Sequence, residues 1–122
     1  MNEKTRDVLA RYARGERCFQ GLEADAPGEW LELDGAILDG ADFSKAWIIG
    51  SFRNSSLRGA SFRQANVKTC DFSGADLTDA DFREAPLCSA EFTGAKLDGA
   101  RFAGAFSHSH IMAEGELPNW SL

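Results

Sequence analysis

Few residues in this chain are spaced for chemistry. His108 and His110, one residue apart, can offer two imidazoles to a metal ion, but no cysteine or carboxylate stands at a matched spacing to complete a site. They read instead as a polar stretch of a C-terminal cap. Cys18, Cys70 and Cys88 are an odd set without CxxC spacing. That argues against a disulfide framework or a zinc centre and for a reducing, cytoplasmic setting. Cys88 has no basic neighbour in sequence to activate its thiol. No nucleophile–base pair, phosphate loop or matched pair of carboxylates emerges, so the expectation is a protein without catalytic, cofactor-binding or metal-binding residues.

Charge and hydropathy narrow the partners. The 122 residues carry 19 Asp+Glu against 13 Lys+Arg, a net charge of −6. Such a balance argues against direct nucleic-acid binding. No apolar run reaches the roughly 18 residues that a membrane helix needs. Residues 1–17 are charged throughout and lack the apolar centre of a secretory leader. Neither nucleic acid nor membrane is expected as a partner.

The elements that must position any working surface are dictated by a repeat. From residue 31 onward an apolar residue recurs every five positions: Leu33, Leu38, Phe43, Ile48, then Phe52, Leu57, Phe62, Val67, Phe72, Leu77, Phe82, Leu87, Phe92, Leu97 and Phe102. Two residues before each of these 15 stands an alanine in 11 cases; the exceptions are Leu31, Gly50, Ser55 and Cys70. The step from Ile48 to Phe52 is four residues instead of five.

A five-residue period suits neither a helix nor a straight strand. On an α-helix it drifts by roughly 140° per repeat and smears the apolar face around the axis. On a strand an odd period throws successive repeats to opposite faces. A short strand followed by a corner solves both problems: the alanine and the large residue two positions later face inward, and the next two residues turn. Seven corner positions hold glycine (Gly35, Gly40, Gly59, Gly74, Gly94, Gly99 and Gly104), as turn dihedrals favour. Stacking every fourth repeat places Phe52, Phe72 and Phe92 in one column and Phe43, Phe62, Phe82 and Phe102 in another, with Leu over Leu between them. A coil therefore has four sides, and just under four coils are expected. Cys70, at an inward place, is expected to be a buried, inert thiol.

This pattern resembles the pentapeptide-repeat family and its A(D/N)LXX motif, seen here as Ala41-Asp42-Phe43, Ala65-Asn66-Val67, Ala75-Asp76-Leu77 and Ala80-Asp81-Phe82. Residues 8–19 resemble the lead-in helix and first strand of many bacterial members. The resemblance implies an all-β solenoid, a right-handed quadrilateral β-helix of about four coils, preceded by a short N-terminal α-helix. The expected division is a cap at 1–30 (helix, first strand and loop), the β-helix at 31–104 and a C-terminal cap or tail at 105–122. Residues 3–14 form the helix, with Val8, Leu9, Tyr12 and Ala13 on one face for covering the first coil. Residues 22–29 read as an inserted loop.

The outward residues carry the functional expectations. Arg53, Arg58 and Arg63 are expected to pair with Asp71, Asp76 and Asp81 on the next coil. Trp47 and Ile49 flank Ile48 and point outward, as does Ile37 on another side. They are candidate partner-binding residues, unless the N-terminal helix or the following loop lies over Trp47 and Ile49. Phe102, Phe106, Ile111 and Trp120 are expected to close the last coil, in cis or across a homodimer formed through the C-terminal end. The leading functional expectation is a non-catalytic interaction or scaffold module with an unknown protein partner. The alternative, drawn from the family, is an acidic DNA-mimic regulator of a type II topoisomerase such as gyrase. Charge density speaks against it. Residues 31–104 hold 11 acidic and 8 basic side chains, whereas DNA of the same length, roughly 19 Å, carries about 11 negative charges and no positive ones.

Overall fold

The structure, a computed structural model, describes residues 1–119. The chain opens with helix α1 (Glu3–Ala13), followed by the two-residue strands β1 (Glu23–Ala24), β2 (Leu31–Glu32), β3 (Trp47–Ile48), β4 (Gly50–Ser51), β5 (Phe106–Ser107) and β6 (His110–Ile111). β1 pairs in parallel with β3, and β2 with β4. Between and beyond them runs a ladder of parallel bridges, among them Ile37 with Ser56, Asp42 with Ser61, Ser56 with Asp76 and Asp81 with Arg101. The register slips by one position at the short step: Trp47 stands opposite Asn66, whereas Ser51 stands opposite Asp71. The chain is thus a β-solenoid in which each repeat stacks on its counterpart one turn earlier.

The corners explain the spelling of the repeat. In each except the shortened corner between Ile48 and Gly50, the amide of the small inward residue donates to the carbonyl of the large one before it, as Ala46 N does to Phe43 O at 3.0 Å. The residue preceding the small one takes a left-handed conformation: φ is 72° at Gly35 and 61° at Lys45. A positive φ at the third position alone defines a type II turn. Seven corners hold a non-glycine residue there, namely Lys45, Asn54, Gln64, Thr69, Asp79, Glu84 and Ser89.

Inside, two aromatic columns cross edge to face. Phe19, Phe43, Phe62, Phe82 and Phe102 stack with ring centroids 4.9 to 5.3 Å apart. Phe52, Phe72 and Phe92 stack at 5.0 and 5.4 Å. Rings of the two columns meet T-shaped, as Phe62 and Phe72 do at 5.3 Å. The coil rise of about 4.8 Å matches the favoured separation of offset rings. Leu38, Leu57 and Leu77 fill the space between the aromatic columns, and Ile48, Val67 and Leu87 fill the fourth column, all buried.

The ladder starts earlier than the repeat signature. Phe19 N donates to Asp42 O at 2.7 Å and Trp47 N to Leu22 O at 2.8 Å. Leu22 to Ala24 therefore belong to a partial first coil and not to the loop expected at 22–29; the connection to β2 starts at Asp25. The alanine-plus-large pattern is absent there because Ala24 alone sits beneath Ile48, so the five-residue period gives no sign of it.

Helix α1 closes this end of the coil. Asn2 caps it, accepting from Thr5 N at 2.8 Å while its amide donates to Trp30 O at 2.6 Å. The buried Thr5 hydroxyl accepts from Glu32 N at 3.0 Å. Val8 is fully buried, and Tyr12 Oη donates to Asp39 O at 2.7 Å. The helix thus lies beneath residues 31–39, the side of the coil that the partial first turn leaves bare. At the other end β5 and β6 form an antiparallel hairpin. Met112, itself buried, donates through its amide to Ala105 O at 2.8 Å and accepts from Gly104 N at 2.9 Å.

Candidate interaction surface

Of the four inward positions without alanine, Leu31 begins the series and is itself buried, and the other three have separate causes. At Gly50 the chain shortens its corner, and a Cβ would stand 2.3 Å from Leu31 O. The Ser55 hydroxyl is buried and donates to Phe52 O at 2.6 Å. The Cys70 thiol reaches Ile48 O at 3.2 Å, and burial pushes its pKa up to about 12. Such a thiol stays protonated and unreactive near neutral pH. Cys88 is half-buried, its sulfur accepting from His108 N at 3.1 Å. His110 does not turn toward His108; its Nε2 meets Glu116 Oε2.

The charged side chains compensate one another. Arg53 lies 3.7 Å from Asp71 and Arg58 3.9 Å from Asp76, as expected from the stacking. Arg63 differs: it pairs with Glu84 at 3.4 Å, because Arg83, two residues along the chain from Asp81, already grips that carboxylate at 2.8 Å. Burial opposes ionisation of Asp81, yet the Arg83 hydrogen bonds hold its carboxyl below the ordinary range. The Thr78 hydroxyl does the same for Asp76, and Gln64 with Arg63 for Glu84. Asp71, Asp76 and Asp81 occupy successive sides of one coil, stacked beneath Glu91, Lys96 and Arg101. Only the Asp71 column continues with a carboxylate, at Glu91; the other two continue with a cation.

The apolar candidates separate into two groups and one exclusion. Trp47 is 54% exposed and Ile37 67% exposed, so neither lies under α1 or the following segment. They stand on opposite sides of the coil, two columns apart, and cannot form one patch. Ile49 is half-buried beside Trp47 and lines a groove of about 410 Å³ with Trp30, Leu31, Gly50 and Thr69. At the far end Phe106 and Ile111, 39% and 72% exposed, face each other across the hairpin. Phe102 is only 1% exposed, packed on Phe82 and Phe92 under the tail, so it does not present itself to a partner. Trp120 lies outside the described residues.

A further row joins residues of unlike chemistry. Trp47, Asn66, Pro86 and Phe106 stack as successive outward residues of the fourth column, since Trp47 bridges Asn66, Val67 N donates to Pro86 O, and Pro86 bridges Phe106. The outward positions of every fourth repeat, taken together like the inward ones, contain the signal that finds it.

The family described as pentapeptide repeats matches this chain in 8 copies, over residues 51–74 and 70–106. Comparison with the curated proteins gave no match. Among solved structures, a pentapeptide repeat protein from the thylakoid lumen of Arabidopsis thaliana is 27% identical with a TM-score of 0.67, the alignment covering 73% of this chain and 60% of that one. HetL, a pentapeptide repeat protein involved in heterocyst differentiation regulation in Nostoc sp. strain PCC 7120, is 31% identical with a TM-score of 0.61, covering 86% of this chain and 44% of that one. The chain thus spans less than two thirds of the length of either.

Proposed function

Because its repeats belong to the pentapeptide-repeat family, we propose that this chain is a non-catalytic interaction module: a right-handed quadrilateral β-helix of about four coils that presents fixed side chains to a protein partner. The observation that carries this reading is Trp47. A tryptophan more than half exposed on a rigid strand, beside the groove at Ile49, is the residue type that most often anchors protein interfaces. Phenylalanine fills the interior, which supports a role without a buried active site. The free thiols of Cys18, Cys70 and Cys88 support a reducing cytoplasm, and no helix among the described residues is long and apolar enough to cross a membrane. The topoisomerase reading has less support, because arginines neutralise the carboxylates that would have to imitate phosphates.

The test is affinity capture with the wild-type chain and with Trp47→Ser and Ile49→Ser variants, each shown to melt alike and to give the same circular dichroism. A protein retained by wild type, lost by both variants and rebinding in purified form is expected. Equal retention by all three baits contradicts the assignment to this surface.

A further inference from the structure

The Trp47 face differs from the rest of the molecule in charge as well as in hydropathy. Along 47–49, 66–68, 86–88 and 106–108, the regular coils place no carboxylate, although the chain holds 19 acidic residues. Lys68 and His108 are there instead, and Lys45 stands at the adjoining corner, where Glu84 two coils on is already held by Arg63 and Gln64. The partial first coil does bring Glu23 beneath Trp47, so the stretch free of carboxylates begins at Trp47 and runs toward Phe106. The arginines of the other sides are committed: Arg53, Arg58, Arg63, Arg83 and Arg101 each pair with a carboxylate. Among the described residues Lys45 and Lys68 form no ion pair. Glu32, which borders the groove, is itself within 3.9 Å of the N-terminal amine.

The short step makes this face concave at one corner. With a residue missing between Ile48 and Phe52, Gly50 passes against the Leu31 backbone. The space beside it opens as the groove between Trp30, which is 50% exposed, and Thr69. Thr69 follows Lys68 directly, so an apolar groove and a cation outside any ion pair adjoin.

Size decides what can occupy it. From Trp47 to Phe106 the row spans three coil rises, roughly 14 Å, and a three-residue strand is about 10 Å wide. That is on the order of 140 Å² per molecule, far below the roughly 800 Å² per partner of a stable dimer. A second copy packed face to face is therefore not the occupant. Four or five residues of extended chain, at about 3.3 Å each, do fit.

Resting on the interaction reading above, we infer that the Trp47 face binds a short extended segment of a partner that is acidic and aliphatic in alternation. Its aliphatic side chains pack on Trp47 and into the groove at Ile49, and its carboxylates face Lys45 and Lys68. The alternation follows from period-two side-chain geometry in an extended segment, and the sign from the two lysines.

The test is a titration of the full, isotope-labelled chain with three probes followed by NMR: acetyl-DLELD-amide, acetyl-KLKLK-amide and acetyl-DSESD-amide. The first is expected to shift the Trp47 and Trp30 indole N–H signals and the amides of Ile49, Lys68 and Thr69, with a Kd on the order of 1 mM. The second is expected to bind roughly tenfold more weakly, and the third not at all. In a Lys45→Glu/Lys68→Glu variant with unchanged amide dispersion the preference between the first two inverts. Equal binding of the acidic and basic probes, shifts centred elsewhere such as Ile37, or no shift at several times that concentration overturns the proposal. If the probes fail while a captured partner still depends on Trp47, the partner chemistry is wrong and the interaction reading stands. If the Trp47 dependence is absent too, both fall.

Discussion

Gly50 and Leu31 approach so closely that a Cβ on Gly50 would lie 2.3 Å from the Leu31 carbonyl oxygen and 2.9 Å from its nitrogen. This contact is the consequence of a four-residue step in a five-residue repeat. Both atoms belong to the backbone of β2, which α1 holds through Thr5, so neither moves freely. Gly50→Ala is expected to destabilise the chain by about 1–3 kcal/mol, although alanine is the commonest residue at equivalent positions. Ser55→Ala, at the next such position, is expected to stay within about 0.5 kcal/mol of wild type, since hydroxyl and hydrogen bond leave together. Thermal melts of the two variants separate these outcomes.

Thr69 holds a β-branched side chain at φ 66°, where residues other than glycine cost roughly 1–2 kcal/mol. Thr69→Gly relieves that strain, against a smaller loss from the more flexible unfolded chain. A net gain of about 0.5–1 kcal/mol is expected, visible as a higher Tm. The opposite exchange, Gly74→Ala, is expected to lower it, because alanine is strained at φ 69° even after the Asn54 side chain moves aside.

The inward pattern is legible in the sequence because burial there is two-sided: each large residue stacks on another from the next turn, so Leu and Phe recur at fixed spacing. The partial first coil is less legible. Ala24 needs no bulk beneath Ile48, and only Phe19 continues a column. The candidate surface is legible one residue at a time but not as a row. Trp47, Asn66, Pro86 and Phe106 share no side-chain chemistry, and nothing but the ladder joins them. The exchange of partners between Arg63 and Arg83 depends on which side chain is nearer, which spacing alone leaves open.

Acid should weaken the charged sides before the core. The carboxyls of Asp76, Asp81 and Glu84 are held below their ordinary values of 3.8, 3.8 and 4.5 in the folded chain. A carboxylate with a depressed folded pKa adds stability above its unfolded pKa and loses it as pH falls through the folded one. Tm is therefore expected to be flat from pH 7 to about 5 and to decline below about 4. Asp81→Asn is expected to lower Tm at pH 7 and to flatten the decline at acid pH. A variant whose acid profile parallels wild type contradicts the Asp81–Arg83 assignment.

Association through the C-terminal end is expected to rest on Phe106, Ile111 and the half-exposed Leu117, not on the buried Phe102. Light scattering should give a dimeric mass that Phe106→Ser/Ile111→Ser reduces to a monomer without loss of Tm. A monomeric wild type refutes the dimer.

The most direct measurement of the central claim is the affinity of a captured, purified partner for wild type, Trp47→Ser and Ile37→Ser by calorimetry. Both substitutions remove an exposed apolar side chain from the ladder, on opposite sides of the same coil. A Trp47 interface predicts at least roughly a tenfold loss for Trp47→Ser, about 1.4 kcal/mol, and none for Ile37→Ser. Unchanged affinity at Trp47, or a loss confined to Ile37→Ser, would place the working surface elsewhere on the coil.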